Sequence, residues 1–250
     1  MTWDGVVQLA GLTLEELAAR HGGRVVGEAG RAPLRLVPVE QAQAGDLAPL
    51  LSGRLARAAR DAAARGAALL VDTSLQAAVA GVGAAWIHDH ATWAMADLLD
   101  EARVPDVPAV AGEGCVIHPS AVLGPRVVLG ARVAVGAGAV NGHPGFGWAF
   151  GAGGAVRSVP QLGGVIIGDD VTIGPLCTID AGTLGPTRLR RGVKLDAHVH
   201  VGHNTAIGEG TLVAAQCGFA GSVTIGRGVL IGGHAGFADH VVVGDGARIA

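Results

Sequence analysis

The 250-residue chain contains no tyrosine, and aromatic residues make up only 3 % of it. A core of any size must therefore be built from Val, Ile, Leu and Ala. Charge is also scarce: charged residues are 16 % and the formal net charge is −3, so nothing offers the basic footprint of a nucleic-acid binder. Cys115, Cys177 and Cys217 are odd in number and far apart, which excludes a disulfide framework and fits packing residues in a reducing, cytoplasmic setting. No apolar run reaches the length of a membrane span. The first twenty residues hold acids and no basic n-region, so no signal peptide is expected. Glycine, in contrast, is abundant at 42 residues, without the G-X-Y period of collagen, and the 50 % apolar content argues against disorder.

Composition changes near residue 104. Before it the pattern is helical and Ala/Leu-rich. TLEELAARH at 13–21 opens with Thr13 and Glu16, the spacing of a capping box. RLARAARDAAAR at 54–65 has high helix propensity, and its Arg54, Arg57, Arg60 and Arg65 form a basic stripe read as a solvated face. AALLVD at 67–72 fits a buried strand, and ATWAMADLLDEA at 91–102 another helix. Residues 1–103 are read as a small α/β domain and 104–250 as a second, mostly β domain.

In the second domain apolar residues recur every six positions. Ile117, Leu123, Leu129 and Val135 are so spaced, as are Ile167, Ile173 and Ile179. The longest run holds its register from Leu189 through Leu195, Val201, Ile207 and onward to Ile249. Four residues after each peg stands another small or β-branched side chain, such as Thr205, Thr211 or Cys217. A period of six fits neither a helix nor a lone hairpin; it marks a hexapeptide parallel β-helix. The repeat resembles the hexapeptide acyltransferase superfamily, and that resemblance implies a left-handed coil of three hexads. Residues eighteen apart then stack at the ordinary strand spacing of roughly 4.8 Å.

Stacking sorts the polar residues into columns. His203, Gly221 and Asp239 form one; Asn204, Ser222 and His240 the next; His198, Gln216 and His234 a third. His203 and His240 then share an outer edge about 10 Å apart, a span suited to a substrate laid along the prism. A non-repeating insert at 141–163 carries Phe146 and Trp148, and loops that interrupt a solenoid on one face often form the binding face. His198, His200 and His203 invite a metal reading, but zinc needs ligands within about 2.1 Å in tetrahedral geometry. His198 and His234 of one chain would stand about 10 Å apart. No metal and no cofactor are expected.

Five motifs follow one another in order: HPGFGWA at 143–149, VPQLG at 159–163, TIDAG at 178–182, KLDAHVHVGHN at 194–204 and IGGHAGFADH at 231–240. Together they resemble the UDP-3-O-acylglucosamine N-acyltransferase family of lipid A biosynthesis. TLEELAARHGGRVVGEAG at 13–30 and VEQAQAGDLAPL at 39–50 are similar to that family's uridine-binding domain. The resemblance implies a homotrimer that moves a 3-hydroxyacyl chain from acyl carrier protein, the thioester co-substrate, to the 2-amine of a UDP-3-O-acylglucosamine. It implies His203 as general base, Gly221 as backbone donor to the thioester oxyanion, and Asp196 as an acid that orients the histidine or contacts the sugar. His240, Asn204, Phe146, Trp148 and Gln216 become candidate substrate contacts.

Some positions depart from the family pattern. Ala181 stands where arginine is usual, Gly185 and Pro186 replace an acidic pair, and Pro144 replaces an aspartate. The uracil-stacking segment reads APLLSGRL at 48–55, with no aromatic residue and Arg54 as its charge. The repeat reaches Ala250 within a hexad, where the resemblance leads one to expect further coils and C-terminal helices. Two alternatives stay open on these grounds: the same chemistry on a different amino-sugar acceptor, and a non-catalytic trimeric binding or scaffold relative.

Overall fold

The computed structural model describes residues 7–9, 11–27, 32–102 and 104–250. The end of the GEAG segment and the expected domain boundary at 103 lie outside the described residues. By their contacts the described residues divide into two compact units, one of 7–104 with 147–160, the other of 105–146 and 161–250.

In the first unit a six-stranded sheet carries Asp46–Leu50 and Ala68–Asp72 at its centre, paired in parallel. Both strands read as near-continuous apolar runs because both of their faces are buried. Three helices accompany the sheet: α1 (Leu14–His21), α2 (Ala56–Ala64) and α3 (Ala91–Glu101). At the start of α1, Thr13 Oγ1 accepts from the Glu16 N–H, and the Glu16 carboxylate accepts from the Thr13 N–H, the reciprocal box that the sequence announces. A two-stranded hairpin, Trp148–Phe150 with Val156–Ser158, belongs to this unit. Arg157 clips it to α3 by ion pairs to Asp97 and Asp100, and its guanidinium lies 5.1 Å from the centre of the Trp93 ring.

The second unit is a left-handed parallel β-helix. Three parallel sheets of seven, seven and six short strands form its walls. Ile207 pairs with Ile225, Val213 with Ile231 and Val201 with Phe219, each eighteen positions on. The pegs of the hexads line the interior: Ile167, Leu189, Ile207 and Ile225 make one buried column, and Ile179, Val201 and Phe219 another. Phe219 and Phe237 stack with ring centroids 4.7 Å apart and planes 4° from parallel. The small residues of the repeat sit at the inner corners. Thr205 and Thr211 are fully buried there, yet each hydroxyl donates to a carbonyl of the next coil, at Ala220 and Gly226, so neither hydroxyl is orphaned. Just outside each corner the chain turns through a left-handed residue: His198, Asn204, Gln216, Ser222, His234 and His240 all have φ between 59° and 62°.

The register breaks twice. Leu129 pairs with Ile167, 38 positions on, so twenty residues beyond one coil leave the prism between them. Ile167 pairs with Leu189, 22 positions on, so four more leave at 182–185. The first excursion is the insert read from sequence. The second shows there only as an interval of ten, rather than six, between Ile179 and Leu189.

Because Phe219 is fully buried in a dry stack, Phe219→Ala is expected to lower the unfolding free energy by about 3–5 kcal/mol in a denaturant titration. A loss below about 1 kcal/mol would contradict this packing.

Candidate active site

The corner at 202–205 gathers a connected set of polar residues. His203 projects outward there, half-buried, and its ring lies across the next coil at Gly221. A Cβ on Gly221 would stand 2.7 Å from both Cε1 and Nε2 of that ring, so only glycine leaves the space. Behind the ring runs the first excursion: a Cβ on Gly145 would come within 2.6 Å of the His203 Cβ. The Gly221 carbonyl accepts from the His240 N–H, while the Gly221 N–H has no acceptor among the described residues.

Asn204 follows in the left-handed conformation that Asn tolerates better than most residues. Its side chain reaches back to the four-residue excursion. Oδ1 accepts from the Thr183 N–H at 2.7 Å, and Nδ2 lies 3.0 Å from Thr183 Oγ1 and 2.9 Å from His203 Nδ1. The Thr183 hydroxyl donates to Gln161 Oε1 at 2.8 Å, in a buried contact where the first excursion rejoins the prism. Asn204 N–H donates to Thr187 Oγ1 at 3.0 Å. The result is a polar chain of Gln161, Thr183, Asn204 and His203.

Burial pushes the His203 pKa below its ordinary value. The Asp239 carboxylate opposes this, and His240 and His200 push further down. The ring is therefore neutral at physiological pH. Asp180 lies on the preceding coil and is nearly buried, with His200 Nε2 3.8 Å from its carboxylate. Burial raises the Asp180 pKa, while His200 and His143 pull it down. His240 Nε2 lies 3.3 Å from Asp239 Oδ2 at the exposed end of the same edge.

The expected residues thus separate. His203, Asn204, Gly221 and His240 share one edge. Asp196 and Gln216 do not: they lie at the neighbouring corner, where Asp196 Oδ1 accepts from the Ala197 N–H and Gln216 N–H donates to Ala197 O. Asp196 stands seven residues before His203, one hexad plus one, and a hexad step moves to the next corner. Within this chain the group beside His203 Nδ1 is the Asn204 amide. Phe146 belongs to the second unit and is strongly exposed; Trp148 belongs to the first, where its strand pairs with Val156–Ser158. Thr183 and Gln161 escaped the sequence reading, and the interval of ten before Leu189 was the one signal for Thr183. Among the described residues no group of three His, Cys, Asp or Glu side chains is placed to hold a metal ion. No helix of the described residues is long and apolar enough to cross a membrane.

No family model matches the chain. A curated UDP-3-O-acylglucosamine N-acyltransferase of Anaeromyxobacter dehalogenans (strain 2CP-1) is 32 % identical over 266 residues, covering 86 % of this chain and 75 % of that protein. One of Christiangramia forsetii is 53 % identical over 83 residues, 33 % of this chain and 24 % of that protein. With this and a relative from Chlorobium chlorochromatii, also matched over 24 % of its length, the chain spans about a quarter of the protein it matches. Among solved structures, a UDP-N-acetylglucosamine acyltransferase from Campylobacter jejuni superposes with a TM-score of 0.50 at 26 % identity, over 56 % of this chain and 52 % of that one.

A histidine-resolved NMR titration is expected to place the His203 pKa below about 6.5. Asp239→Asn should take it lower still, because that carboxylate favours the imidazolium. A value above 6.5 in the native chain would contradict the burial seen at this corner.

Proposed function

The chain belongs to the UDP-3-O-acylglucosamine N-acyltransferase family, and on that footing we propose that it transfers an acyl chain from the thioester of acyl carrier protein to the 2-amine of UDP-3-O-acylglucosamine, in the cytoplasm and as a homotrimer. The observation that carries this reading is the His203 imidazole packed against Gly221, whose N–H has no acceptor among the described residues.

The chemistry follows from that pair. The amine nitrogen attacks the thioester carbonyl carbon; the N–C bond forms and the C–S bond breaks. The nitrogen must shed a proton, and a neutral imidazole is suited to take it and return it to the departing thiolate. Negative charge gathers on the carbonyl oxygen in between. A backbone N–H without a prior acceptor, as at Gly221, can stabilise it without breaking another bond. Glycine there also lets an acyl chain approach the backbone closely. Asp180 and His240, on the same edge, support contacts to the sugar hydroxyls. The apolar side chains exposed on the prism walls, Leu212 at 46 % and Val242 at 74 %, support burial against other copies of the chain.

A second reading, a different amino-sugar acceptor, is favoured by the segment at 48–55. Its Ala48, Pro49 and Leu50 are buried in the central strand of the first unit, and no aromatic face follows them. Calorimetry with UDP-sugars separates the two readings: heat of binding supports the first, none the second.

The acyl-transfer assay from acyl carrier protein is expected to lose roughly 10²–10⁴-fold on His203→Ala. Gly221→Ala, whose methyl group would meet the ring at 2.7 Å, should cost about tenfold or more while leaving the fold intact. Equal rates for native chain and His203→Ala would remove the base assignment.

A further inference from the structure

The polar chain behind His203 decides where the ring carries its proton. The anchor is the Thr183 N–H, a group that can only donate. It points at one atom of the Asn204 amide, 2.7 Å away, and that atom must be the oxygen. The amide nitrogen is thereby directed at Thr183 Oγ1 and at His203 Nδ1, and it can only donate to both. Thr183 Oγ1, already accepting from Asn204, passes its own hydrogen to Gln161 Oε1. Every assignment follows from one backbone donor, and Nδ1 is left as an acceptor. A neutral imidazole with its lone pair on Nδ1 has its hydrogen on Nε2.

We propose that Asn204, anchored by Thr183 and Gln161, is a positioning residue that holds resting His203 in the Nε2–H tautomer, so that the lone pair needed on Nε2 appears only when the Asn204 amide gives way. This rests on the reading that His203 accepts the amine proton from the Nε2 side. The Nε2 edge of the ring is the one over Gly221, where the reaction is placed. In the resting tautomer that edge offers a hydrogen, suited to hold a carbonyl oxygen but unable to take a proton. Acceptance there requires the hydrogen to leave Nε2 and Nδ1 to gain one. Nδ1–H would then face the Asn204 N–H₂, two donors head to head, until the amide turns and surrenders its bond to Thr183. In a serine-protease triad, where an amide replaces the carboxylate facing Nδ1, the same wrong-tautomer arrangement costs about 10⁴-fold in turnover. Position 204 thus sets how much of the ring is competent as a base.

Asn204→Asp separates tautomer from packing. A carboxylate at 204 has the same shape, tolerates the left-handed backbone, keeps the Thr183 N–H bond and accepts from Nδ1–H. The other charged groups facing the ring are Asp239, His240 and His200, and they are common to both forms. The test is a long-range ¹H–¹⁵N correlation spectrum of the full chain with labelled histidine, recorded above the His203 pKa and assigned against His203→Ala. The native ring is expected to carry its hydrogen on Nε2 and the Asn204→Asp ring on Nδ1. Turnover with acyl carrier protein should rise by roughly tenfold or more in Asn204→Asp. Hydrogen on Nδ1 in the native chain overturns the proposal, and so does an unchanged tautomer in the variant. If the native tautomer is Nε2–H but His203→Ala turns over at the native rate, the tautomer assignment stands and the base reading falls.

Discussion

Everything in the second unit depends on the parallel ladder between strands eighteen residues apart. Its hydrogen bonds stack one coil on the next, and that stacking turns a linear repeat into vertical columns. Where a column points inward it is aliphatic and buried; where it points outward at a corner it can carry chemistry. His203 lies over Gly221 because the ladder puts it there, and the Gly221 N–H has no acceptor among the described residues because it falls at a corner rather than in a strand. A function built on this edge needs no cavity carved into the prism. It needs columns of different composition set side by side.

The two breaks in the ladder supply what the repeat cannot. A perfect hexad series would leave His203 as an exposed corner residue with solvent on every side. The first excursion brings Gly145 against its Cβ, and the second brings Thr183 to Asn204. These contacts half-bury the imidazole and lower its pKa, which keeps it neutral at physiological pH. Residues 147–160 of the first excursion belong instead with the first unit, held to α3 through Arg157.

Much of this was legible in the sequence, for a physical reason. A period of six in Ile207, Val213, Phe219 and Ile225 has one structural solution, and the inward placement of each peg follows from it. The pairing of His203 with Gly221 follows from the same arithmetic. The capping box of α1 and the strand after α2 were legible because their signals are local. Asp196 was named through the resemblance alone; in this chain it lies one corner away from His203, because a hexad step moves to the next corner. Thr183 and Gln161 stayed hidden because their contacts depend on where two excursions re-enter the coil, and no periodicity records that.

The central claim is that the reacting amine meets the thioester at the His203–Gly221 corner. A crystal structure with a UDP-amino sugar and a non-hydrolysable acyl thioester analogue bound tests it most directly. The account predicts the amine nitrogen about 3 Å from a ring nitrogen of His203, with the acyl carbonyl oxygen turned toward the Gly221 N–H. An amino sugar seated on another edge of the prism, with that corner open to solvent, would contradict it.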